Sequence, residues 1–159
     1  MSEAVLQMVR ARPRRATTIA RVSAVAVVVI FTAVGVGLHG KTDSGTGVFQ
    51  PSDQVALIVL GILAAAGLLT LTRPRMEADA RGIRVRNLIG GYELSWDVVR
   101  SVQFGHGAPW ASLELADDEV VSVMAVQAAD KAYALAAVRA LRSLLAAHQA
   151  TADAAPVAE

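Results

Sequence analysis

Two stretches without a single charged side chain dominate the polarity pattern of this chain, Val22 to Leu38 and Gln54 to Thr72. A helix crossing a hydrocarbon core of about 30 Å needs roughly 20 residues at about 1.5 Å each. A charge near the bilayer centre costs about 2.5–3.5 kcal/mol on the insertion scale. The pattern therefore predicts transmembrane helices at 22–40 and 54–72, joined by an outer loop at 41–53. Ala33-xxx-Gly37 and Gly61-xxx-Ala65 are small-residue pairs that allow close helix approach, within one chain or between copies.

Beyond Arg73 the period changes. Gly82-Ile83-Arg84-Val85-Arg86 alternates apolar and charged residues, the pattern of a half-buried strand. Met76 to Ala80 supplies a partner across an Ala80-Arg81-Gly82 turn, and Gly90-Gly91 signals a hairpin into Tyr92 to Trp96. Val99 to Phe104, Trp110 to Ala116 and Val120 to Val126 complete six predicted strands, with Asp117-Asp118 as a turn. From Ala129 to His148 the period is helical: Leu135, Val138, Leu141 and Leu145 form one stripe, and Arg139 and Arg142 face away. Asp130 and His148 suit the dipole ends of that helix. Leu94, Trp96, Leu113, Leu115, Leu135, Val138 and Leu141 are expected in the core. Residues 149–159, rich in Ala, are expected to be a disordered tail.

Charge gives the spans a direction. Residues 1–21 hold five Arg against one Glu, and Arg73, Arg75, Arg81, Arg84 and Arg86 follow the second run. Basic residues remain on the cytoplasmic side, so both termini are expected inside and the loop outside the plasma (inner) membrane. Residues 1–21 then read as a basic cytoplasmic tail. A cleaved signal peptide is the competing reading of a basic start and an apolar run. The run exceeds a typical h-region and no Ala-x-Ala site follows, which favours a retained helix.

Composition narrows the chemistry. The chain has no cysteine, hence no disulfide, thiolate metal site or cysteine nucleophile. Residues 73–159 carry nine basic and eleven acidic side chains, a balance that argues against a nucleic-acid partner. His39, His106 and His148 show no ligand spacing, and Asp117-Asp118-Glu119 falls where a hairpin turn is needed. No phosphate loop, nucleophile elbow or zincin motif occurs. The sequence predicts no catalytic residue, metal or cofactor.

Short antiparallel strands closed by one C-terminal helix resemble the pleckstrin-homology (PH) superfold. In detail, Asp79-Ala80-Arg81-Gly82-Ile83-Arg84-Val85-Arg86-Asn87, Trp96-Asp97-x-Val99, Pro109-Trp110-x-x-Leu113-x-Leu115-x-Asp117-Asp118, Asp130 and Leu141-Arg142-x-Leu144 resemble actinobacterial membrane-anchored PH-domain proteins, the low-molecular-weight protein antigen 6 type among them. The resemblance covers residues 73–148. It implies a transmembrane hairpin plus an α+β PH-like domain, a small open barrel of antiparallel strands capped by one helix. It implies a fold and little chemistry; the fusion of that domain to two spans and the absence of any catalytic set lead us to expect a non-enzymatic interaction module at the inner face of the membrane, with a protein partner. Anionic lipid headgroups are the alternative ligand, through Arg75, Arg84 and Arg86, whose spacing is similar to that of phosphoinositide-binding PH domains. An accessory role in a membrane transport complex is a further alternative, although neither span supplies a polar lining.

Overall fold

The computed structural model describes residues 8–38 and 50–154. Two compact units emerge: one combines the N-terminal residues through Arg15 with everything from Arg73 onward, and the other is Ala16–Thr72.

Among its described residues the first unit contains seven strands. β1 (Val9–Ala11), β2 (Arg75–Ala78), β3 (Gly82–Arg86) and β4 (Gly91–Ser95) form one antiparallel sheet in sequential order. β5 (Val99–Gln103), β6 (Trp110–Leu115) and β7 (Val120–Gln127) form a second. Helix α3 (Ala132–Ala154) packs on β5, β7 and β1. Met76, Ile83, Val85, Trp96, Leu113, Val123 and Leu141 fill the space between these layers.

The helical hairpin of the second unit is therefore an insertion within the domain. Residues 9–11, expected as part of a basic tail, form a strand whose Ala11 is buried and whose Arg10 faces outward. Val9, Arg10 and Ala11 lie opposite Ala78, Glu77 and Met76. Three residues are too few to display a strand period in sequence. Their place is decided by the otherwise bare edge of β2, with which Val9, Arg10 and Ala11 align.

α1 (Arg14–Gly37) begins eight residues before its apolar run, and α2 spans Pro51–Thr70. Hydrophobicity marks where such a helix is apolar, not where it starts. Gly61 lies against Phe31, where a Cβ would approach the Phe31 Cβ to 2.6 Å. On α1 the buried small residues are Ala20, Ala24 and Gly35, whereas Ala33 and Gly37 of the predicted motif are exposed. Most of the expected outer loop, including Lys41 and Asp43, lies outside the described residues.

Several elements of the domain depart from the sequence pattern. The β3–β4 turn runs through Leu88 and Ile89 to Gly90, whose φ of +78° suits glycine, and Gly91 already belongs to β4. The Asp79 carboxylate accepts from the Arg81 and Gly82 amides at 2.8 and 3.2 Å, ending β2 at Ala78. In α3 the buried stripe is Ala134, Ala137, Val138, Leu141 and Leu145, while Leu135 is 47% exposed. Alanines carry little hydrophobic signal yet allow the helix to approach the sheets closely, which rotates the packed face away from Leu135. Leu94 is only half-buried because β4 is an edge strand. Residues 149–154, expected to be disordered, extend α3, and 155–159 lie outside the described residues.

One side chain ties the sheets together and another fastens the chain between them. Asn87, 8% exposed, donates from Nδ2 to the Ser122 carbonyl (2.7 Å) and accepts from the Met124 amide (3.1 Å), imitating a strand neighbour for β7. Trp96, buried in the link from β4 to β5, donates from Nε1 to the Asp79 carbonyl of the β2–β3 turn at 2.7 Å. Replacing Asn87 by Ala removes both of its bonds to β7. An unsatisfied buried polar group costs about 1–3 kcal/mol. Asn87→Ala is expected to lower the midpoint of thermal unfolding of the chain by several degrees, with Arg139→Ala, a change on the exposed face of α3, as the unaffected comparison.

Candidate functional site

The outward face of the first sheet carries an ordered pattern of charge. Cross-strand register places Arg10 opposite Glu77, Glu77 opposite Arg84, and Arg84 opposite Glu93. The result is one row across four strands with charges that alternate in sign. Arg10 Nε lies 3.4 Å from Glu77 Oε1, and Arg84 Nε lies 2.7 Å from Glu93 Oε1. The hydrogen bond to Glu93, and then its charge, raise the Arg84 pKa above its usual value.

The neighbouring row is different. Arg75 lies opposite Arg86, and Arg86 opposite Gly91. Arg12 follows the Ala11–Met76 pair, on the side from which Arg75 enters β2. Arg75 and Arg86 have no carboxylate within ion-pair distance among the described residues. A depression of about 450 Å³ opens beside this row, lined in part by Arg73, Arg84, Arg86 and Tyr92. The structure thus separates the three arginines singled out from sequence. Arg84 is neutralised by its neighbours, while Arg75 and Arg86 stand together in a row of one sign.

A second constellation was invisible in sequence. The Asp130 carboxylate, expected to serve the C-terminal helix, instead caps α1: Oδ2 and Oδ1 accept from the Arg14 and Arg15 amides, each at 2.9 Å. These are orphan donors in the first turn of a helix, where an anion is favoured. The Tyr133 hydroxyl donates to the Arg10 carbonyl and accepts from the Arg12 amide, both at 3.4 Å, and its ring lies 4.1 Å beneath the Arg14 guanidinium. Lys131, between them, has a φ of +47°, an uncommon conformation for a non-glycine residue. More than 110 residues of sequence separate these partners, so no local pattern announces them.

The remaining polar candidates have structural partners. Arg142 does not point away from the domain but donates from Nε to the Val102 carbonyl of β5 at 3.0 Å. His148 meets Asp97 Oδ1 at 2.8 Å, well before the end of α3. Asp117-Asp118-Glu119 makes the β6–β7 turn, with Asp118 at a φ of +65°. His106 is exposed in the β5–β6 loop, and His39 lies outside the described residues. No group of three or more His, Asp or Glu side chains is arranged to hold a metal among the described residues.

Two antiparallel sheets closed by one C-terminal helix are the architecture of a PH-like domain. Residues 73–144 match the bacterial PH domain family, and the chain belongs to that family. It is similar to the uncharacterized proteins Rv1417 of Mycobacterium tuberculosis and Mb1452 of Mycobacterium bovis. Each is 44% identical over 123 residues, which cover 77% of this chain and 80% of the relative. That match is longer than everything from residue 73 to the end of the chain, so the likeness reaches into the segment with the two apolar helices. No solved structure matches the chain.

Asp97 offers a test of how α3 is held. The Ser95 hydroxyl, and after it His148, keep its carboxyl below the ordinary carboxylate range. A depressed pKa stabilises the fold above the unfolded value of about 3.9, and that contribution is lost as pH falls through the lower folded value. Thermal unfolding of the wild type and Asp97→Asn should differ between pH 5 and 7. The difference should close progressively below about pH 4.

Proposed function

We propose that the chain is a non-enzymatic, membrane-tethered interaction module. In this reading α1 and α2 cross the plasma membrane as an antiparallel hairpin, both termini are cytoplasmic, and the PH domain works at the inner face on a protein partner. One observation carries the reading: β1 and β2 pair residue for residue although the whole hairpin lies between them. Residues 11 and 76 must then be on the same side of any bilayer, which requires an even number of crossings. Two helices long and apolar enough to span occur in that interval. Val22, Val25, Val29, Leu60, Ile62 and Leu63 expose apolar side chains, as lipid-facing helices do and the core helices of a soluble domain do not. The Arg-rich flanks favour a cytoplasmic domain.

A protein partner is favoured over a headgroup at the central row. Arg10, Glu77, Arg84 and Glu93 offer alternating signs, which match a complementary polypeptide surface and have little net attraction for a polyanion. The family is generally non-catalytic, and the site brings together no nucleophile, base or metal set.

The absence of cysteine makes single-cysteine labelling of the full chain unambiguous. A membrane-impermeant maleimide should label Ser44→Cys in intact cells, and should reach a cysteine appended after Glu159 only in inverted vesicles. The opposite pattern refutes the orientation. A photo-crosslinking side chain at Glu77, in the middle of the charged row, should capture one discrete protein adduct in cells. Arg84→Glu should diminish that adduct severalfold, and capture of nothing but lipid removes the protein reading.

A further inference from the structure

Ile89 is 89% exposed, the most exposed large apolar side chain described. It sits at the tip of the β3–β4 turn beside Leu88, and Tyr92, 40% exposed, stands at the base of the same turn. The position of this tip in the sheet gives it meaning. β2 enters the sheet at Arg75, directly opposite Arg86, and β1 leaves it at Ala11, opposite Met76. The chain thus passes to and from the two apolar helices at the end of the sheet that bears the β3–β4 turn. The β2–β3 turn, with Asp79 and Arg81, is at the other end.

Covalent reach sets the scale. Arg75 follows the end of the second uncharged run, Thr72, by three residues, at most about 10 Å of chain. On the other side Val22 lies eight residues after Arg14 along α1, about 12 Å of helix. The polar layer on each side of a hydrocarbon core is about 5–8 Å thick. Arg75 and Arg86 therefore lie within reach of the headgroups, and the turn from Asn87 to Gly90 projects beyond them. Arg73 and Arg86 line the depression beside this turn together with Arg84 and its ion-pair partner Glu93, and Arg75 lies opposite Arg86.

From this arrangement we infer that the β3–β4 turn is a membrane-contacting tip. Ile89, with Leu88, enters the boundary between headgroups and acyl chains of an anionic bilayer, while Arg75 and Arg86 contact lipid phosphates. The inference rests on the tethered reading above and adds an orientation to it: the domain stands with the hairpin tip on the membrane, and the Arg81 end faces away. A residue that apolar at a tip beside a row of arginines suits an interface with an apolar interior and an anionic rim.

The test uses the full chain in vesicles containing phosphatidylglycerol, with an environment-sensitive fluorophore on Ile89→Cys or, at the distal turn, on Arg81→Cys. Flotation comes first, and a chain that does not float with the vesicles overturns the tethered reading and this one with it. With the chain bound, lipid-borne nitroxide should quench the label at 89 at least threefold more than that at 81. Arg75→Glu combined with Arg86→Glu should bring the two labels together, as should vesicles of phosphatidylcholine alone. Equal quenching of both labels by nitroxide in bound wild type overturns the inference and leaves the tether standing. So does a label at 89 that neither nitroxide nor aqueous iodide reaches, because a protein surface then covers the tip.

Discussion

Val9, Arg10 and Ala11 pair with Ala78, Glu77 and Met76, and almost everything else about this molecule depends on that short ladder. It closes the edge of β2, sets Ala11 in the core and begins the charged row at Arg10. A three-residue strand is weak by itself, since few backbone bonds offset the entropy of ordering it. Here it is fixed from several directions. α3 packs over it, Tyr133 bonds to the backbone on either side of Ala11, and Asp130 terminates the segment by capping α1. The domain is therefore discontinuous in sequence, and a fragment that starts at residue 73 lacks one of its strands.

Side chains perform at the corners of this domain what backbone ladders perform within its sheets. β3 and β7 belong to different sheets, so neither supplies the other with regular strand bonds. The Asn87 amide, with a donor and an acceptor on one rigid plane, substitutes for a strand residue at Ser122 and Met124. Arg142 does the same at lower cost for the Val102 carbonyl, reaching from the helix over the edge of β5. These contacts explain why polar residues occupy positions that would otherwise be apolar, and why α3 can close the core without shielding every strand edge.

The strands from β2 onward were legible from alternation where it is strict, as in Ile83-Arg84-Val85-Arg86, and elsewhere from short apolar runs bounded by turn residues such as Asp117-Asp118; the family resemblance drew on the first of these segments among others. β1 was not legible, because a strand of three residues beside a long helix has no period of its own. The helix face was misplaced at Leu135 because its packing surface is built on Ala134 and Ala137, which carry little hydrophobic signal. The arginines at 75, 84 and 86 could be nominated from spacing, but their difference could not. Only register reveals that Arg84 lies between Glu77 and Glu93 while Arg75 and Arg86 lie opposite each other. Asp130 was read as a dipole partner of the nearest helix, and three-dimensional closure assigned it to another.

The interruption of the sheet has a temporal side as well. Residues 12–74, sixty-three in all, separate the first strand from its partner. At a synthesis rate of about 5–20 residues per second, β1 waits roughly 3–13 seconds before β2 exists to receive it. During that interval both apolar helices are made. For a chain whose helices insert in a bilayer, only a completed double crossing returns β2 to the compartment where β1 waits. A chain that inserts one helix and not the other strands the two halves of the sheet on opposite sides. It leaves the β2 edge bare and the place of Ala11 empty. In the membrane-tethered reading proposed above, folding of the domain would act as a proofreading step on insertion, because a misinserted copy would keep the β2 edge exposed, the kind of edge that proteases and chaperones engage.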